Sequence, residues 1–203
     1  VKPARIVPVA LVLFLASCAA QPQAIDGPAV PIAAASGGPT SPAPVSPLLP
    51  KSYSTMTMQL SDGASITFKV PADWKTGEES GARYWRQPTG QPHLRLNRVP
   101  NGGKGDPMTL MRSEESSTKP VVDDYQLTKM QLVAIPPGTE NIETARWDYK
   151  YWDKHDKQIR RAVRLGFIAA GDWVTIHFSA FDKDFVDTVQ VFAKATEIVA
   201  SGI

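Results

Sequence analysis

"ARWDYKYWDKHDKQIRRAVRLGFIAAGDWVTIHFSAF", residues 145 to 181, alternates side chains of unlike character along three runs and is broken twice. Alternation with period two is the pattern of a strand whose two faces meet different surroundings. The breaks fall near Asp153 to Asp156 and at Ala170-Gly171-Asp172, where Asp, Lys and Gly supply turn chemistry. Three strands joined by two turns follow, an antiparallel meander with one apolar and one polar face. Alternation groups Trp147, Tyr149 and Tyr151 with Val163, Leu165 and Phe167, and with Val174, Ile176 and Phe178, as the core side. The other side collects Asp148, Lys150, Arg160, Arg164, Thr175, His177 and Ser179, with Trp152 and Trp173 among them. Aromatic side chains standing beside polar ones mark binding surfaces. Trp152, Trp173, Arg160, Arg164 and His177 are therefore the candidate binding surface.

Working outward, "FVDTVQVFAKATEIVAS" places Phe185, Val189, Phe192, Ala193, Thr196 and Val199 on one stripe of an amphipathic helix that must bury against the sheet. Upstream, "STMTMQL" and "ASITFKV" flank Ser61-Asp62-Gly63 and read as a hairpin. "ARYWRQP" and "HLRLNRVP" are further strands, and "DYQLTKMQLVAI" is a long one ending at Pro136-Pro137-Gly138. Between them, Asp106-Pro107 supplies a cap and a first-turn proline for a helix over 107 to 117. Strands in a meander with covering helices give an α+β fold, an antiparallel sheet packed with helices.

Few residues offer catalytic chemistry. His93, His155 and His177 have no ligand partner at helical spacing, so no metal pair is expected, and their positions read as solvated surface or loop. No G-x-S-x-G elbow is present. "NGGKGDP" lacks phosphate-loop spacing and reads as a flexible connection, and Glu114-Glu115 as a solvated acidic turn. No cofactor is expected. A hydrolase would need His177, Asp148 and Ser179 to meet in one pocket.

The first fifty residues carry the address. Lys2 and Arg5 precede an apolar run from Ile6 to Phe14, and Leu15-Ala16-Ser17-Cys18 ends it. About nine apolar residues fall short of the roughly 20 that span a bilayer, which reads as a signal peptide over 1–17. The four residues resemble the bacterial lipobox, which implies cleavage between Ser17 and Cys18 and a diacylglycerol on the Cys18 sulfur. Cys18 is the one cysteine of the chain, so no internal disulfide forms. Residues 18–50 continue as a Pro/Ala/Ser-rich tether, and 51–203 form one globular domain. The chain has 22 basic and 20 acidic side chains, and loss of Lys2 and Arg5 with the leader makes it neutral. Balanced, interspersed charge leaves no footprint for nucleic acid.

Residues 145 to 201 also resemble the end of actinobacterial Mog/PsbP-like domains: an aromatic-rich strand, a turn with Asp, a basic strand, a "GD-aromatic" hairpin and a final helix. "ITFKVPADWK" is similar to their opening strand followed by Pro-x-x-Trp. With lipobox and tether, the resemblance is to mycobacterial lipoproteins of the LpqN/LpqT type. It implies an α/β/α sandwich, no catalytic residues, and a binding or accessory role at the cell envelope. The expected partners are the membrane, through the lipid anchor, and a protein or envelope component. An envelope hydrolase and a carrier of lipid or other hydrophobic ligands are the alternatives.

Overall fold

The computed structural model describes residues 48–89, 92–134 and 142–201. The leader, Cys18, most of the tether and the Pro136-Pro137-Gly138 breaker lie outside the described residues. Leu49 packs against the core and Pro50 is buried, so the folded domain takes in the end of the segment read as tether.

Among the described residues the elements are β1 (Tyr53–Gln59), β2 (Ser65–Pro71), β3 (Lys75–Glu79), β4 (Ala82–Arg86), β5 (His93–Val99), α1 (Pro107–Thr118), β6 (Asp123–Ala134), β7 (Glu143–Asp153), β8 (Gln158–Ala169), β9 (Asp172–Phe181), α2 (Asp182–Thr188), α3 (Gln190–Ala195) and β10 (Val199–Ser201). A short 3₁₀ turn, Lys119–Val121, joins α1 to β6. The large sheet runs β3-β4-β5-β9-β8-β7-β6, and a small one runs β1-β2-β10; every pairing is antiparallel. After β5 the chain crosses through α1 to the far edge and returns strand by strand, so β9 closes against β5.

Helix α1 begins where Asp106 and Pro107 predict, with the Asp106 carboxylate accepting from Thr109 N–H at 2.9 Å. β3 went unrecognised in the sequence because Lys75–Glu79 shows no alternation: it is an exposed edge strand, turned back on β4 through Ser80 and Gly81. The terminal helix is shorter and kinked. Thr188 Oγ1 donates to the Asp184 carbonyl, a back-bond that bends helices, and α2 gives way to α3 at Val189. Val199 leaves the expected stripe altogether, pairing with Thr67 at the edge of β2 and standing 65% exposed.

Register decides the faces. Directly paired residues of antiparallel strands share a face. Val163, Leu165 and Phe167 pair with Phe178, Ile176 and Val174, and with α2, α3 and β2 they build the larger core. Trp147, Tyr149 and Tyr151 pair instead with Arg164, Ala162 and Arg160, so they lie on the opposite face from Val163, Leu165 and Phe167. That corrects the sequence assignment of β7. Met111 of α1 packs there against Trp147, Tyr149, Ala145, Ala162 and Trp173 in a second core. Both faces of the sheet are covered, so polarity alternation does not say which is inside. The result is a mostly antiparallel sheet with few helices, α1 on one face and α2–α3 with the small sheet on the other.

The two glutamates of α1 are fasteners rather than a solvated acidic turn. Glu114 accepts from Trp173 Nε1–H at 2.7 Å and pairs with Arg164, and Glu115 accepts from the Tyr125 hydroxyl at 2.7 Å. The glycine loop is pinned as well: Gly103 N–H donates to the Gly171 carbonyl at 3.0 Å. A Cβ on Gly103 would stand 2.6 Å from Ile168 and 2.9 Å from that carbonyl oxygen, so only glycine allows the approach.

Candidate functional site

The second-core face carries polar side chains where α1 does not cover it. Strand pairing lays them out in rows. One row reads Arg86, His93, Ser179, Ala162, Tyr149, and the next Tyr84, Arg95, His177, Arg164, Trp147. A third holds Phe181, Arg160 and Tyr151. At the end of this face lies a cleft of about 400 Å³ whose walls include Arg86, His93, Tyr151, Asp153, Asp156 and Arg160.

Arg160 is held rigidly. Its Nε donates to Asp153 at 2.6 Å and its Nη2 to Asp156 at 2.6 Å, while its guanidinium lies 4.9 Å from the Phe181 ring centroid. The Nη2 bond, with one from His155, holds the Asp156 carboxyl below its ordinary range. Behind this clamp, the His93 and His177 rings meet edge to face with centroids 5.6 Å apart. Ser179 Oγ stands 3.2 Å from His93 Nδ1, and the Tyr149 hydroxyl 3.4 Å from His177 Nε2. Burial first, then Arg160, Arg86 and Arg95, push His93 down to about 4. Burial, followed by Arg164, His93, Arg95 and Arg160, holds His177 well below its ordinary value. Both imidazoles are neutral at pH 7, and burial raises the Tyr149 phenol to about 12.

These shifts fix an acid response. His93 is neutral in the folded chain near pH 7 and protonates at about 6.5 in the unfolded chain. Its contribution is intact above about pH 6.5 and is lost as pH falls toward 4, by roughly 3 kcal/mol at the acid end. His177 acts in the same direction. We expect His93→Gln to flatten the fall of Tm between pH 7.5 and pH 4.5; an acid limb as steep as that of the parent would show that His93 titrates normally.

The structure redistributes the expected binding surface. Trp173 is 4% exposed beneath α1, His177 and Arg160 are buried, and Arg164 is half-buried against Glu114. Of the five, Trp152 alone is exposed, and its pairing with Ile159 puts it on the other face of the sheet from Trp173. The physical reason is α1 over Trp173 and Arg164, the Asp153–Asp156 turn and Phe181 around Arg160, and the His93 and Tyr149 rings around His177. Of the histidines only His155 is a solvated turn residue, its backbone N–H donating to Asp153. His177 is buried and His93 half-buried in the cleft wall, and sequence spacing carried no sign of their meeting because β5 and β9 are brought together by the crossover. Asp148 does not join His177 and Ser179: it lies on the opposite face, where Arg146 grips it with two hydrogen bonds of 2.8 and 2.9 Å. Among the described residues no cluster of three potential metal ligands occurs.

No protein-family model matches this chain, and no curated protein matches it. Solved structures do. The cyanobacterial PsbP of Synechocystis superposes with a TM-score of 0.52 and 13% identity, over 71% of this chain and 91% of that one. LpqN of Mycobacterium tuberculosis, described as involved in cell envelope biogenesis, gives 0.50 and 14%, over 73% and 91%. At such identities the likeness establishes a PsbP/LpqN-like fold, which is what the sequence resemblance implied for this domain.

Proposed function

We propose that this protein is a bacterial lipoprotein, anchored through Cys18, whose domain is a non-enzymatic binding or accessory module of the cell envelope. The observation that carries the reading is the cleft. Its wall is preorganised by the Arg160 clamp, and a rigid polar recess is the equipment of recognition. The serine hydroxyl beside His93, that of Ser179, has no solvent exposure, so a substrate carbonyl has no approach to it. The cell-envelope role described for LpqN supports the location, as do the leader and the lipobox. No helix among the described residues is long and apolar enough to cross a membrane. More than one acyl chain gives stable anchoring, at roughly 0.8 kcal/mol per buried CH₂.

Metabolic labelling with a palmitate analogue tests this. The parent chain is expected to take up label and sediment with membranes, and Cys18→Ser to lose both. Label retained by Cys18→Ser would overturn the anchor. Crosslinking in intact envelope, with the anchored and Cys18→Ser forms compared, then identifies the bound component.

A further inference from the structure

We propose that Arg86 and His93 at the edge of the cleft bind a small oxyanion, a carboxylate or a phosphate-type group, that anchors the ligand of this protein. The proposal deepens the binding-module reading and rests on it. The recess of about 400 Å³ lies within the range of roughly 300–1,000 Å³ typical of ligand sites.

Charge distribution gives the sign of the ligand. Arg160 is matched by Asp153 and Asp156, and Arg164 by Glu114. Among the described residues Arg86 has no carboxylate partner; its guanidinium lies 5.4 Å from the Tyr84 ring centroid, which supports it from below. Arg95, diagonal to it across β4 and β5, spends one N–H on the Glu79 carbonyl and neutralises no acid there. Across the face four arginines, Arg86, Arg95, Arg160 and Arg164, meet three carboxylates, Asp153, Asp156 and Glu114, and the one positive charge left over falls on the Arg86–Arg95 side. The Arg86 guanidinium presents donors that no carboxylate of the cleft occupies, and an imidazole N–H beside it adds another, as charge-assisted hydrogen bonds to oxyanions require.

His93 reports the same field. Arg86 faces it from β4, Arg95 from its own strand, His177 and Ser179 from β9, Arg160 from β8, Tyr151 and Asp153 from β7, and His155 and Asp156 of the β7–β8 turn line the same cleft. The three arginines outweigh Asp153 at the ring, which is why, beyond burial, it resists protonation. An anion docked on Arg86 reverses that balance, and the ring then takes up a proton as the anion binds. Binding tightens as pH falls.

The test uses the full chain in detergent and the ring signals of its three histidines, titrated with sodium sulfate against sodium chloride at matched ionic strength. Sulfate keeps its charge across the range used; sodium propionate at pH 7 is the carboxylate arm. A saturable shift of His93 without one at His155 is expected, severalfold tighter for sulfate at pH 5.5 than at pH 7. Arg86→Gln is expected to weaken it roughly tenfold, while Arg83→Gln, an exposed residue on the other face beside Glu78, leaves it unchanged. Response to sulfate alone assigns a phosphate-type group, and to propionate alone a carboxylate. No saturable shift with either, or equal affinity in Arg86→Gln, overturns the proposal. Failure of the Cys18→Ser experiment would remove the envelope anchor and leave this result standing.

Discussion

Asp172→Ala is expected to destabilise the domain by about 3–5 kcal/mol, the range for removing one partner of a buried charge pair. Asp172 opens β9 with no solvent exposure. Its carboxylate accepts from Ser61 N–H at 2.9 Å, Ser61 Oγ–H at 2.6 Å and Asn101 N–H at 2.8 Å, and Arg98 stands 3.5 Å away. One side chain thus ties the β1–β2 turn, the start of the glycine loop and β5 to β9. Asn101 holds a left-handed backbone conformation, φ +54°, which needs that support. Removal takes the acceptor from the Ser61 and Asn101 backbone N–H groups and the counter-charge from Arg98. At about 2–4 °C per kcal/mol for a domain of this size, Tm falls by roughly 10 °C. Burial opposes the charge, but the bonds from Ser61 and Asn101 with Arg98 overcome it and hold the carboxyl below its ordinary value. The contribution is therefore full above about pH 3.9 and is lost as pH falls through the folded-state value. Thermal and urea unfolding of Asp172→Ala and Asp172→Asn measure it, with Ala the more damaging. A Tm within about 2 °C of the parent for Asp172→Ala would show that these contacts carry no stability.

Trp147→Ala is the second large effect, about 3–5 kcal/mol. Trp147 is fully buried and joins three elements. Its ring stacks on Tyr149 at 4.2 Å, Arg164 lies 5.4 Å over it, and Nε1–H donates to the Tyr125 hydroxyl at 3.0 Å. Tyr125 passes the bond on to Glu115 of α1. Truncation leaves a cavity under α1 and removes the donor that ties β7 to the Tyr125–Glu115 bond between β6 and the helix. Trp152→Ala, at 36% exposure, is the control and should cost less than about 1 kcal/mol. Equal losses for the two tryptophans in denaturant unfolding would contradict the pairing of Trp147 with Arg164 and of Trp152 with Ile159.

That contrast shows how far the amino-acid sequence could be read. Trp147 and Trp152 belong to one alternating run, and the run was legible as a strand. Which of its faces is interior was not. The four-residue turn Lys154 to Lys157 sets Asp153 opposite Gln158, and this places Tyr151 beside Arg160. A shift of one residue in that turn would have moved every aromatic ring of β7 to the other side. Aromatic and charged residues alternate in β7 much as aliphatic and charged ones do in β8, so similarity of pattern argued for a shared face. Tertiary packing gave the two strands different covers, α1 over the aromatic side of β7 and α2–α3 over the aliphatic side of β8.

The candidate site illustrates the same limit. Asp106-Pro107 located a helix because a cap acts on its own first turn, a contact three residues long. His93 and His177 touch because β5 pairs with β9 across the α1 crossover, and no local signal encodes that. Their neutrality follows from burial and from arginines on three strands, none of them near either histidine in the chain except Arg95. By itself the sequence determined the strands other than β3 and β10, the turns of the meander, the α+β class and the expectation of a lipid-bearing Cys18, since each rests on neighbours within a few residues. The tertiary structure decided which faces are buried, which tryptophan is exposed and where the polar cleft lies, because register and helix placement bring together groups that the chain keeps far apart.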